Sequence, residues 1–277
     1  MAPTFAQPRS TQPRLWRSLA LASATVTLAT MPALAQNKAV PLAQIPAHDA
    51  TLWLAQAEGG EGGEAGAVAS ATPDVAYLAR LAIVEGHLRA ALDLYRKGLV
   101  DEAVGLSYHP EAEMMDDVRA DLAAHAAADI TPAMTAFSAT LEAAAPVPEV
   151  EAALAAVQSA IAAAMAPKAG DLRVRFDTLT ALLRAAASEY ASSTEGGSVG
   201  DVMAYHESHA FIATARSLAA ELALVPAAKD AADRALAAMA EADGAFGDMS
   251  LATYLVSDPA ILLAVAARVE LIASSVR

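Results

Sequence analysis

The stretch TPDVAYLARLAIVEGHLRAALDLYRKGL, residues 72–99, decides how the rest of the chain is read. Thr72 precedes Pro73 and Asp74, a helix opening in which threonine caps and proline fills the first helical position. Leu78, Leu81, Val84, Leu88, Leu92, Tyr95 and Leu99 then recur at steps of three and four, the apolar face of an amphipathic helix. Arg96, Lys97 and Gly98 supply the basic last turn and the glycine stop that end such a helix.

Working outward from this segment, the same period continues to the end of the chain. Further helices are expected over residues 111–126, 131–144 and 148–165. Asp171 follows Gly170 and caps another, with Phe176, Leu179, Leu183, Ala186 and Tyr190 as its stripe. Helices over 202–224, 227–242 and 259–274 complete the series. The last is very apolar, but Arg268 and Glu270 interrupt it, so it reads as a buried helix and the mature chain carries no membrane span. No alternating strand pattern occurs, and alanine, the best helix former, dominates. The fold class is therefore all-α, an antiparallel bundle of about seven to eight helices. Shifting the sequence by 95 residues lays Leu81, Val84, Leu88, Ala91 and Tyr95 on Phe176, Leu179, Leu183, Ala186 and Tyr190. After a loop two residues longer, Tyr108-His109 falls on Tyr205-His206. Either two pseudo-repeated halves, 74–166 and 170–277, share one plan, or two apolar stripes of helical period slide into register by coincidence.

Upstream, residues 1–35 have the layout of a cleavable signal peptide. Arg9, Arg14 and Arg17 make a positive start, an apolar run from Leu19 to Leu34 follows, and Ala33-Leu34-Ala35 fits the cleavage rule. Residues 36–73 read as a flexible linker, broken by Pro41 and Pro46 and carrying the acidic glycine tract Glu58-Gly59-Gly60-Glu61-Gly62-Gly63-Glu64. No strand precedes that tract, so it is not a phosphate cradle. Trp53, between Leu52 and Leu54, is available to pack on the globular part or on a partner. The bundle domain then spans 74–277, and the expected location is the periplasm.

The chain has no cysteine, so packing alone must stabilise it, and thiol chemistry, covalent haem attachment and a lipid-anchored lipoprotein are excluded. Its formal charge of −14 becomes −17 without the three leader arginines. Such a chain repels nucleic acid and anionic lipid and attracts cations or a basic partner.

Histidines carry the remaining chemistry. His87 lies within the long helix beside its apolar stripe. His109 precedes Pro110, with Glu113 one turn on and so on the same face. His206 and His209, three apart, share a helix face, with Glu207 between them. Imidazoles and carboxylates projecting into a bundle core are a familiar metal site, and this donor set suits iron, zinc, copper or manganese. His87, His109, Glu113, His206, Glu207 and His209 are accordingly the candidate metal ligands. Packed histidines and acidic helix N-termini produce the same pattern without a metal. His206-Glu207-Ser208-His209 is one residue short of the zinc-peptidase motif, and neither Glu-x-x-His nor Gly-x-Ser-x-Gly occurs, so no catalytic residue is assigned.

Residues 74–220 resemble the imelysin-like exported helical proteins, which include periplasmic components of bacterial iron-uptake systems. The resemblance rests on Gly86-His87 in a long first helix, Tyr95-x-x-Gly98, His109-Pro110 followed by Glu113, and Tyr205-His206-Glu207 leading to Phe211. That family's Gly-x-His-x-x-Glu signature is altered here. Gly86 adjoins His87 directly and Ala90 stands at the glutamate position, so the acidic partner of His87 must come from elsewhere, Glu113 or Glu207. The resemblance implies a periplasmic metal-binding or metal-delivery protein linked to iron uptake, with a metal ion and an envelope transport protein as partners. The alternative is a non-catalytic helical adaptor that engages another cell-envelope protein. Enzymatic activity finds no motif in its favour.

Overall fold

The computed structural model describes residues 60–247, 249 and 254–276. The expected signal peptide, the start at Gln36 and the Trp53 segment lie outside them. Among the described residues there is no strand, and the helices follow in the order α1 Gly60–Ala69, α2 Pro73–Arg96, α3 Val100–Ser107, α4 His109–Glu113, α5 Met115–Ala124, α6 Thr131–Glu142, α7 Val147–Met165, α8 Leu172–Ser193, α9 Val202–Ala223, α10 Lys229–Ala240 and α11 Ala260–Ser274. Seven of these have twelve residues or more, in line with the expected bundle.

The two halves share a packing plan. In the first, α2 packs on α3 and α7, and α6 closes the ring by packing on the same two. In the second, α8 packs on α9 and α11, and α10 closes the ring in the same way. The aligned tyrosines behave alike. Tyr95 donates from its hydroxyl to the Ala145 carbonyl at 2.6 Å, and Tyr190 to the Ala245 carbonyl at 2.7 Å. Each ties a long helix to the loop that follows its half's third helix. The Tyr-His pairs, by contrast, part company. Tyr205 lies buried inside α9 and donates to the Leu255 carbonyl, whereas Tyr108 is exposed at a helix break and donates to Glu142.

α2 is where the halves meet, and it is buried on nearly every side rather than on one face. Its leucine stripe, with Leu78, Leu81, Val84 and Leu88, enters the core of the first half. Its opposite face, Val75, Ala76, Ala79, Ala82 and Ile83, enters the core of the second. Small side chains on that second face let α9 come close. At Gly86 the approach is closest: a Cβ there would stand 2.2 Å from Cδ1 of Phe211. α7, joined through residues 166–168, is long and apolar enough to cross a membrane. One stripe of it, Val150, Leu154, Val157 and Ile161, is buried in the first half's core, while most of its alanines are exposed. In α11 the interrupting charges face outward, Arg268 pairing with Glu241, and Glu270 with Arg184 at 2.7 Å.

Three expectations need correction. The region expected as one helix over 111–126 is two short helices, α4 and α5, broken at Met114, and α3 precedes them. Pro110 marks the start of α4 after α3, and the break comes at Met114, whose backbone (φ −141°, ψ −8°) leaves the helical range. The flexible linker expected up to residue 73 gives way to helix at Gly60–Ala69, because Glu64, Ala67 and Val68 are buried against the bundle. Thr72 sits at the α2 N-cap in an extended conformation but makes no capping hydrogen bond, and Pro73 alone marks the start.

Gly86→Ala would gain helix propensity of about 1 kcal/mol yet drive its methyl into a fully buried ring. The clash should win, with a net destabilisation of about 2 kcal/mol in urea unfolding. Unchanged stability would show that α2 and α9 are not held at this distance.

Candidate metal centre

At the joint between the halves, α2 holds His87 almost completely buried. Its Nδ1–H donates to the Ile83 carbonyl one turn back at 3.0 Å, which fixes the tautomer and leaves Nε2 to face a group of carboxylates. Nε2 lies 3.1 Å from Glu64 of α1, 3.2 Å from Glu207 of α9 and 3.5 Å from Glu113 of α4. The short helix α4, begun by Pro110, sets His109 and Glu113 one turn apart. His109 Nδ1 is 3.3 Å from Glu207 Oε1 and 3.7 Å from Glu113 Oε1. His87, Glu64 and Glu207 form the buried floor, while His109 and Glu113 make the outer rim. Phe211 packs edge-on against the His87 ring at 5.3 Å, so the Gly86 contact also holds this imidazole in place.

Glu189 of α8 completes the group. It is 2 % exposed, its Oε1 has no hydrogen-bond partner, and it feels the charges of Glu207, Glu64, His87 and Glu113. Burial, and then the negative charge of Glu207 and Glu64, pushes its pKa up to about 9, so it is protonated at neutral pH. Burial also works against a charged His87, but Glu64 and Glu207, with the hydrogen bond to Glu113, hold its pKa well above the usual histidine value. His109 is raised chiefly by its hydrogen bond to Glu207. For Glu113, burial is outweighed by the hydrogen bond and charge of His87 and the charge of His109, and its pKa falls. For Glu64, burial prevails over the attraction of His87, and its pKa rises.

The spacing suits a cation. Two triads, His87 with His109 and Glu207, and Glu64 with His87 and Glu113, each place their donor atoms within 4.8 Å of one another. Both use His87, whose single available nitrogen can take one ion, so they describe one centre. An ion about 2.1 Å from each donor needs neighbouring donors roughly 3.0 to 3.4 Å apart, and the contacts of Nε2 to Glu64 and Glu207 fall at 3.1 and 3.2 Å. The His87 Nδ1–H bond to a backbone carbonyl is the outer contact that orients a ligating imidazole. With no thiolate present, imidazole and carboxylate donors favour iron, zinc or manganese over sites built on sulfur.

Four of the six residues singled out from the sequence, His87, His109, Glu113 and Glu207, thus meet, and both acidic partners expected for His87 stand beside it. Glu64 and Glu189 were missed. Glu64 was hidden in a tract that reads as linker. Glu189 had one available signal, a carboxylate next to Tyr190 in an otherwise apolar segment.

Residues 166–276 match the model of the iron permease-associated 4-helix bundle domain family. The matched region contains α8, α9, α10 and α11, the complete second half, and links it to iron-permease systems. No curated protein and no solved structure matches the chain.

His206 and His209 do not join the centre. They line a separate cavity of about 830 Å³ together with Asp93, Lys97, Glu102 and Tyr254. His206 Nε2 lies 3.1 Å from the Tyr254 hydroxyl, and the Nδ1 atoms of both histidines are buried without hydrogen-bond partners. On α9 the residue between them, Glu207, points to the centre, which is why the two flanking imidazoles face elsewhere. Burial, then the positive charge of Lys97 and His209, lowers the His206 pKa to about 4, and burial likewise lowers that of His209. An unfolded histidine takes its proton near pH 6.5, whereas folded His206 takes it only near 4. Its contribution to stability is therefore full above pH 6.5 and is lost as pH falls toward 4, a loss of roughly 3 kcal/mol. His206→Gln should flatten the fall in unfolding free energy across that window by about this amount. Parallel pH profiles for the two proteins would contradict the burial of a neutral imidazole at this position.

Proposed function

We propose that the protein is a periplasmic metal-binding or metal-delivery component of an iron-uptake system, with His87, His109, Glu113 and Glu207 holding the ion. The carrying observation is the convergence of two imidazoles and several carboxylates around His87 Nε2 at coordination spacing. The floor donors His87, Glu207 and Glu64 are buried, where a group of carboxylates is costly unless a cation or protons balance it. The match of residues 166–276 to an iron permease-associated bundle favours iron among the metals that such donors accept. The resemblance to imelysin-like exported proteins points to the same process. The leader-like residues 1–35 support action outside the cytoplasm. The partner on this reading is a permease in the envelope, which would receive or pass on the ion.

The centre binds rather than catalyses. His87 has its Nδ1–H engaged and its Nε2 in a carboxylate-lined site, and no nucleophile or motif for hydrolysis accompanies it. The match of residues 166–276 to a permease-associated bundle also fits an adaptor reading, in which the protein engages another cell-envelope protein and no ion is bound.

Anaerobic titration with ferrous iron separates the two. Stoichiometric, saturable uptake is expected, with a thermal shift that follows the ligand concentration. His87→Ala should weaken uptake at least tenfold, and acidification through the histidine range should release the ion because protonated imidazole cannot coordinate. Absence of saturable uptake of iron, zinc or manganese would leave the adaptor reading standing.

A further inference from the structure

We propose that α1 is a closing arm that brings Glu64 onto the bound ion, so that occupation of the centre tightens the docking of α1. This rests on the reading of the centre as a metal site. It starts from the sequence of the arm. α1 is GEGGEAGAVA, with glycine at four of its ten positions, and no basic side chain in its last turn opposes the exposed carbonyls. Each glycine costs about 0.8 to 1.0 kcal/mol relative to alanine in a helix, and a helix of ten residues is too short to persist alone in water. Its helical form therefore depends on what it touches.

Ala67 and Val68 enter the second half's core, and α1 lies along α8 and α2. Among the described side chains of α1 the strong polar anchor is Glu64, which reaches Nε2 of His87 at 3.1 Å with only 6 % of its side chain exposed. Residues 70–72 alone separate α1 from the rigid start of α2, a connection that permits hinging without loss of register. The wall that α1 provides has open space behind it. A cavity of about 330 Å³ is bounded by Glu64, Val68 and Ala69 on the arm and by Arg80, Glu113 and Asp117 opposite. Glu64 and Glu113 line both this cavity and the centre, so the cavity borders the ion site on its acidic side. Arg80 on its wall is bound to Asp117 and Asp121, which leaves the cavity acidic overall.

The exchange follows from ordinary coordination chemistry. With no ion, Glu64 is held by the His87 imidazole. An ion that takes Nε2 displaces the Nε2 proton to solvent and ends that contact. The carboxylate, already 3.1 Å from Nε2, then has the ion as its nearest positive charge and needs only a small movement to bind it. Bringing the arm inward covers the floor residues, and swinging it out removes one ligand and opens the cavity. Release of cargo to a partner thus needs only a contact that draws away a glycine-rich segment of ten residues.

Amide hydrogen exchange on the full-length protein, with and without ferrous iron under anaerobic conditions, tests this directly. Iron content is measured on the same samples. Exchange across residues 60–69 should slow at least tenfold with iron bound, while the amides of α7 stay unchanged. Glu64→Gln should still take up iron, with affinity lowered about tenfold or more, and should lose the added protection of α1. Because the chain has no cysteine, Val68→Cys provides a second readout: iron should slow its reaction with a thiol reagent, provided the Glu64 carboxylate is present. Iron bound with α1 exchange and Cys reactivity unchanged overturns the arm but leaves the centre. Protection of α1 that survives in Glu64→Gln overturns it as well. If the wild-type protein takes up no iron, the reading of the centre fails, and the arm fails with it.

Discussion

The contact between Gly86 and Phe211 sets the distance between the two halves, and the chemistry of the joint depends on that distance. A methyl group at position 86 would overlap the ring, so α2 and α9 can approach this closely only with glycine there. Their approach brings His87, the next residue on α2, up to Glu207, one turn before Phe211 on α9. Phe211 then packs on the His87 ring it has let in. One small residue thereby converts two packed bundles into a site with donors from both. The small residues Ala76, Ala79 and Ala82 on the same side of α2 extend the close contact along the helix.

The charge gathered at this joint explains why it reads as a place for a cation. Glu64, Glu113, Glu189 and Glu207 share a largely buried volume with two imidazoles. Like charges out of water cannot all persist unopposed, and the protein relieves them in two ways. Glu189 keeps its proton, and His87 takes one, so that a buried imidazolium balances the floor carboxylates. A metal ion at Nε2 would do the work of the imidazolium proton with more charge and more directed bonds. The second cavity shows the opposite solution. There Lys97 is near, carboxylates are fewer, and burial keeps His206 neutral, so those imidazoles sit as polar groups in a wet-rimmed cavity rather than as counter-charges.

Legibility in the sequence tracked how far each feature depends on local pattern. α2 and α8 were readable because their apolar period and start signals lie within each segment, and Asp171 does cap its helix, although Thr72 does not. The break between α4 and α5 was not, since the acidic run 111–117 looks like one helix start and only the packing of Met115 and Val118 decides where the chain bends. Half of the site followed from spacing, His109 with Glu113, and half from a family resemblance, His87 with Glu207. His206 and His209 were misplaced because same-face spacing shows that two side chains can meet, not which way the helix is rotated. Glu64 was unreadable in principle. A glycine-rich acidic segment has no helical signal of its own, and its order comes from the partner it finds across the fold.

The matched family region and the centre also divide along the chain in an instructive way. Residues 166–276 contain Glu189 and Glu207 but none of Glu64, His87, His109 and Glu113. Taken alone, that four-helix half would leave two carboxylates facing water from α8 and α9, with its own histidines turned to another cavity. Covering that surface is what costs free energy, since carboxylates buried without partners carry the full cost of desolvation. The first half covers it, and does so with imidazoles. Its ring of α2, α3, α6 and α7 repeats the packing of the second half, but its helical return is cut short at His109-Pro110, and the cut is what turns His109 and Glu113 toward Glu207. A continuous helix there, like α9, would have kept the two halves alike and left the carboxylates unanswered. The departure from internal symmetry is therefore the feature that builds the site.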